Sequence, residues 1–153
     1  MENNIKKTIL YIEDESDNRE LLKKMLTAKG YNYFEAEDGL SGIEIALKEK
    51  IDLIILDINM SGMTGYEIAT KIKNIPKLKE IPLVAFTGNV INNAKERALI
   101  SGCEGFMTKP INGTTFFEKL NEYMNGKKDF IPPEMIPELV QEYNIELVNH
   151  LEK

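Results

Sequence analysis

Asp57 closes the apolar run Leu53-Ile54-Ile55-Leu56, and three other short apolar runs end in residues that could work with it. Thr8 to Ile12 is followed by the carboxylates of Glu13, Asp14, Glu15 and Asp17, Leu83 to Phe86 by the hydroxyl of Thr87, and Gly105 to Met107 by the ammonium of Lys109. Brought together, Glu13, Asp14 and Asp57 would repel one another, so the set makes sense around a divalent cation. Oxygen-only ligands favour a hard ion. Magnesium is the expected one, because it binds through one or two carboxylates and keeps positions for water and phosphoryl oxygens. With one phosphoryl oxygen on the metal, Lys109 and Thr87 can each hold another. The Asp57 carboxylate is then left to attack phosphorus, which gives an aspartyl phosphate.

These residues lie far apart in the chain, so the elements between them must bring them together. Leu53 to Leu56 is apolar and rich in β-branched residues, as a parallel strand buried on both faces should be. The pattern predicts strands at Thr8–Ile12, Tyr31–Glu35, Asp52–Asp57, Leu83–Phe86 and Gly105–Met107. Helices are predicted between them. The first runs from Ser16 to Gly30 with Leu21, Leu22, Met25 and Leu26 on one face, and the second opens on the capping box Ser41-x-x-Glu44. The third opens on Thr64-x-x-Glu67, the fourth runs from Asn93 to Gly102, and the fifth spans Thr114–Met124. Strict strand–helix alternation implies a doubly wound α/β fold, with a parallel sheet, helices on both faces and right-handed crossovers. Every loop leaving a strand's C-terminal end then falls on one edge, where open α/β sheets bind ligands. Glu13, Asp14, Asp57, Asn59, Thr87 and Lys109 all sit in those loops.

The bulk properties agree with a small soluble unit. A chain of 153 residues is long enough for one domain and a tail without disulfides or metals as staples. The lone Cys103 cannot pair internally, no long apolar segment follows the N-terminus, and a cytoplasmic location is expected. No run approaches the ~20 apolar residues of a membrane span. The formal net charge of −6 disfavours non-specific nucleic-acid contact. Protein partners are expected instead.

From about Thr8 to Met124 the chain resembles the receiver domain of two-component response regulators, of the stand-alone or hybrid-kinase-attached kind. The likeness rests on four motifs in order: Tyr11-Ile12-Glu13-Asp14-Glu15, Leu56-Asp57-Ile58-Asn59-Met60-Ser61-Gly62-Met63-x-Gly65, Ala85-Phe86-Thr87-Gly88 and Phe106-Met107-Thr108-Lys109-Pro110. The resemblance implies a flavodoxin-like strand order 2-1-3-4-5 and a phosphoryl group received on Asp57 from a histidine kinase or histidine phosphotransfer protein. It implies magnesium held by Glu13, Asp14, Asp57 and the backbone carbonyl of Asn59, with Thr87 and Lys109 on the phosphoryl oxygens. It further implies Thr87 and Phe106 as switch residues that reshape the surface of helix 4, strand 5 and helix 5. Asn59 and Asn89 stand where the family tunes dephosphorylation, and Lys109-Pro110 is a candidate cis peptide. This chain departs from the commonest pattern in Glu13 for aspartate, Ser61 for proline and Phe106 for tyrosine.

Two other functions fit the strand-end carboxylate less well. A magnesium phosphohydrolase with a D-x-D loop needs a general acid at the second aspartate, where Asn59 can neither give nor take the proton. A flavodoxin-like cofactor module needs a neutral phosphate loop after the first strand, where Glu13-Asp14-Glu15 would repel the phosphate. Neither Cys103 nor His150 is assigned a chemical role. The division expected is a tail over 1–7, a receiver over 8–126, and a linker with an extra helix over 127–153. After Pro132-Pro133, the apolar residues Ile136, Leu139, Val140, Tyr143, Leu147, Val148 and Leu151 recur at helical spacing. That helix is a candidate dimerisation surface, or the start of a coiled coil to a tethered output domain.

Overall fold

The computed structural model describes residues 6–60, 62–88, 93–109, 113–131 and 141. Five strands, β1 (Thr8–Ile12), β2 (Asn32–Ala36), β3 (Leu53–Asp57), β4 (Leu83–Thr87) and β5 (Gly105–Thr108), alternate with α1 (Ser16–Ala28), α2 (Gly39–Lys48), α3 (Gly65–Lys73), α4 (Ala94–Ile100) and α5 (Gly113–Met124). All strand pairs are parallel and the order is β2-β1-β3-β4-β5. The expected doubly wound sheet and its order are therefore both present.

Alternation along the strands divides the core into two layers. Ile9, Tyr11, Leu53, Ile55, Val84, Phe86 and Met107 face Leu22 and Leu26 of α1 and Phe116, Leu120 and Tyr123 of α5. Their sequence neighbours Leu10, Ile12, Ile54, Leu56 and Ala85 face the other way, toward α2, α3 and α4. Strands β3 and β4 are buried at every position, as the near-continuous apolar runs require. Gly105 is required by this packing, because a Cβ there would run into the ring of Tyr123.

Several local expectations change. Leu21 points outward at 52% exposure, whereas Leu22 and Leu26 are fully buried. Three turns of helix place only an i, i+4 pair on the sheet at this end. Helix α2 starts at Gly39, not Ser41, because Asp38 is the N-cap and its side chain accepts from the Ser41 N–H at 2.8 Å. Ser41 is thus the third helical residue, and the Ser41–Glu44 capping box does not form. The Thr64–Glu67 box does form, with both reciprocal hydrogen bonds in place. Beyond Gly126 the chain stays tied to the sheet: the Asp129 N–H donates to the Glu104 carbonyl at 2.8 Å, and the Tyr123 hydroxyl donates to Asp129 Oδ2 at 2.8 Å. Ser61, Asn89, Pro110, His150 and the apolar residues of the amphipathic stretch, Ile136, Leu139, Val140, Tyr143, Leu147, Val148 and Leu151, lie outside the described residues.

Candidate functional site

The strand ends deliver the site. Glu13 leaves β1 and is fully buried, and Asp57 ends β3 at 3% exposure. Tyr11 and Glu13 are two residues apart on an extended segment and so share a face of the sheet with Asp57. Register does the rest: Asp57 pairs with Phe86, Thr87 with Thr108, and Lys109 donates its backbone N–H to the Thr87 carbonyl at 2.9 Å. One ligand oxygen from each of Glu13, Asp14 and Asp57 lies within 4.8 Å of the others. The residues expected to meet at one edge do meet there.

The Lys109 ammonium lies 3.1 Å from Glu13 Oε1 and 3.6 Å from Asp57 Oδ1, so it is held more closely by the first carboxylate than by the second. Its Nζ also lies 5.5 Å from the centre of the Phe86 ring, within cation–π range. Glu13 is occupied on both oxygens. Its Oε1 accepts from the Tyr11 hydroxyl at 2.8 Å as well as from Lys109, and its Oε2 accepts from the Glu15 N–H at 3.1 Å. The Arg19 guanidinium donates to the Glu13 carbonyl at 2.8 Å and pairs with Glu35 at 3.3 Å, which anchors the acidic loop to α1 and β2.

Asp57 pays for its position in proton affinity: burial first, then the neighbouring Glu13 charge, push its carboxyl from the ordinary 3.8 up to about 6, against the opposing pull of Lys109. Burial and the same Glu13 carboxylate hold the Tyr11 phenol well above its ordinary range, so it remains a donor. A divalent cation fits this donor set. Three carboxylates converge, oxygen is the only ligand element, and the ionised form of Asp57 is under strain that added positive charge would relieve.

Asn59 lies beyond the acceptor, is exposed, and donates from Nδ2 to Thr87 Oγ1 at 2.6 Å. Its backbone N–H reaches Asp57 Oδ1 at 3.4 Å. Thr87 is fully buried and Phe106 is buried at 8% exposure, within the layer that contains Ala94, Ala98 and Cys103. Phe106 is therefore part of the buried core on the α4 side of the sheet. Gly65 lets α3 begin against the acceptor loop, where a Cβ would stand 2.6 Å from Ile58 Cα and 2.7 Å from the Asp57 carbonyl oxygen. Cys103 is buried, its thiol pushed up to about 12 by desolvation, and it is unreactive at neutral pH. Sequence reading passed over Tyr11 and Arg19. The i, i+2 spacing of Tyr11 and Glu13 on a strand was the available signal for the first, and nothing local marks the second.

The model of the response regulator receiver domain matches residues 9–121. The polar-differentiation response regulator DivK of Brucella anthropi is 30% identical over 118 residues, which is 77% of this chain and 96% of that protein. Among solved structures, chemotaxis protein CheY4 of Vibrio cholerae superposes with a TM-score of 0.73 at 27% identity, over 78% of this chain and 99% of that one. A chain from the co-crystal structure of the Saccharomyces cerevisiae histidine phosphotransfer signaling protein Ypd1 and the receiver domain of its downstream response regulator Ssk1 gives 0.71 at 26% identity, over 78% and 90%. With its family match, its fold and a strand-end acidic cluster facing a lysine, this chain belongs to the response regulator receiver domains of two-component signalling.

Proposed function

We propose that Asp57 is the phosphoacceptor of this receiver. The observation that carries the reading is the convergence of Glu13, Asp14 and Asp57 within 4.8 Å, with the Lys109 ammonium 3.6 Å from Asp57. One Asp57 carboxylate oxygen attacks the phosphorus of a phosphohistidine, a P–O bond forms, and the P–N bond breaks with its electron pair leaving on the imidazole. Glu13, Asp14, Asp57 and the Asn59 carbonyl would hold magnesium, which supplies charge to offset the phosphoryl oxygens when bound. Lys109 takes one phosphoryl oxygen and exchanges its grip on the carboxylates for a grip on the product. The Thr87 hydroxyl takes another, leaving Asn59.

A phosphoryl group adds roughly −1.5 to −2 charge and strong acceptor oxygens. Thr87 and Phe106 serve as the switch by population: the phosphoryl group selects the arrangement in which Thr87 faces the site and Phe106 is inside. The surface of α4, β5 and α5 changes its occupancy of states accordingly. Addition of beryllofluoride and magnesium is expected to shift the backbone amides of residues 93–124. An unchanged spectrum there, with the mimic bound at Asp57, contradicts the switch.

The partners that fit are a histidine kinase or a histidine phosphotransfer protein upstream and a protein or tethered output domain downstream, in the cytoplasm. Among the described residues no helix is long and apolar enough to cross a membrane. Residues 8–126 serve as the switching unit, and 127–153 as the segment through which the chain pairs or connects. Asn59 and Asn89 set the lifetime of the acyl phosphate. A D-x-D phosphohydrolase is disfavoured because Asn59 stands where the general acid would be needed.

A further inference from the structure

Tyr11 is a fully buried ionisable side chain of the acidic edge to which the phosphoryl-transfer scheme gives no task. It is 1% exposed, its ring is tilted against Phe86 at 6.3 Å between centres, and its hydroxyl donates at 2.8 Å to Glu13 Oε1. That same oxygen receives Lys109 at 3.1 Å, while Glu13 Oε2 is pinned by the Glu15 N–H at 3.1 Å. Three donors therefore fix the plane of a fully buried carboxylate, and the carboxylate fixes the ammonium. Phe86 completes the seat, carrying the Tyr11 ring on one side and Lys109 at 5.5 Å from its own centre. A hydrogen bond to an ionised group in a dry site is among the stronger ones, and geometry held at both ends is worth more than the contact itself.

We propose that Tyr11 is a positioning residue: its hydroxyl orients Glu13 so that Glu13 holds Lys109 where the ammonium meets a phosphoryl oxygen arriving on Asp57. In this scheme Tyr11 acts on the phosphoryl group through Glu13 and Lys109. The proposal rests on the phosphoacceptor reading above and adds a division of labour to it, with Glu13 serving the lysine through one oxygen while Asp14 and Asp57 carry more of the cation.

Tyr11→Phe keeps the ring and its contact with Phe86 and removes only the hydroxyl. Phosphorylation by acetyl phosphate at saturating magnesium is expected to slow about tenfold, the factor that goes with losing one hydrogen bond to a charged group. Adding Tyr11→Phe to Lys109→Ala is expected to cost less than about twofold more. A Tyr11→Phe rate equal to that of the parent, or the same tenfold loss on the Lys109→Ala background, overturns the proposal. The Lys109 side-chain 15N resonance in the metal-free protein reads the geometry without any chemistry. It is expected to move toward the position of solvated lysines in Tyr11→Phe, and an unmoved resonance overturns the proposal even if the parent takes no phosphate. Absence of phosphate on the parent alone counts instead against the phosphoacceptor reading.

Discussion

Removing the charge of Asp57 should stabilise the metal-free protein. Asp57 is 3% exposed and its carboxyl is pushed from 3.8 to about 6, chiefly by burial and then by Glu13. A carboxyl with a raised value in the folded state binds its proton more tightly there than in the unfolded chain. Its contribution to stability is therefore complete below about pH 4, falls as pH rises toward about 6, and is absent above that. The gap between the two values corresponds to about 3 kcal/mol, of which Asp57→Asn, neutral at every pH, should recover about 2–3 kcal/mol at pH 7.5. For a domain of this size that is a rise in melting temperature of roughly 10 °C. The assay is urea or thermal unfolding of parent and variant in EDTA at pH 4, 5, 6 and 7.5, followed by circular dichroism. The difference should be near zero at pH 4, open through pH 6 and stay level above it. Saturating magnesium should then stabilise the parent more than the variant, because the cation binds only the folded parent cluster well. A variant no more stable than the parent at pH 7.5, or a difference that is the same at pH 4, would refute the strained-carboxylate account.

Other perturbations follow from the same structure. Thr64→Ala removes the hydroxyl half of the capping box at α3, the acceptor of the Glu67 N–H, and should cost about 1 kcal/mol in urea unfolding, with α3 amides losing exchange protection first. Gly105→Ala drives a methyl into the Tyr123 ring and should cost about 1–3 kcal/mol, an effect that Tyr123→Leu in the same chain should largely remove. Sedimentation of the full chain against one ending at residue 131 should show a larger mass only for the full chain if the residues after it pair two copies, and equal monomer masses would count against that pairing.

Much of the fold was legible because each strand was apolar at consecutive positions and each helix began or ended on a recognisable cap. Thr64 and Glu67 illustrate this: the spacing on the page became the observed pair of hydrogen bonds. Ser41 and Glu44 have the same spacing and failed, because Asp38 stands three residues earlier, accepts the Ser41 N–H and starts the helix first. Leu21 failed for a different reason, since it lies about 100° around the helix from Leu22, and Leu22 with Leu26 took the inward stripe. At the site, which residues would meet followed from the alternation, because all strand ends share one edge. How they meet did not. The grip of Glu13 on Lys109, the hydrogen bond from Asn59 to Thr87 and the Arg19 anchor depend on register between strands and on side-chain direction, neither of which is written locally.

The central claim is that Asp57 takes a phosphoryl group. Incubation with acetyl phosphate and magnesium followed by intact mass should show a single added phosphate, labile to hydroxylamine, on the parent chain and none on Asp57→Asn. A parent chain that gains no mass under saturating donor, or a variant labelled as fully as the parent, would contradict it.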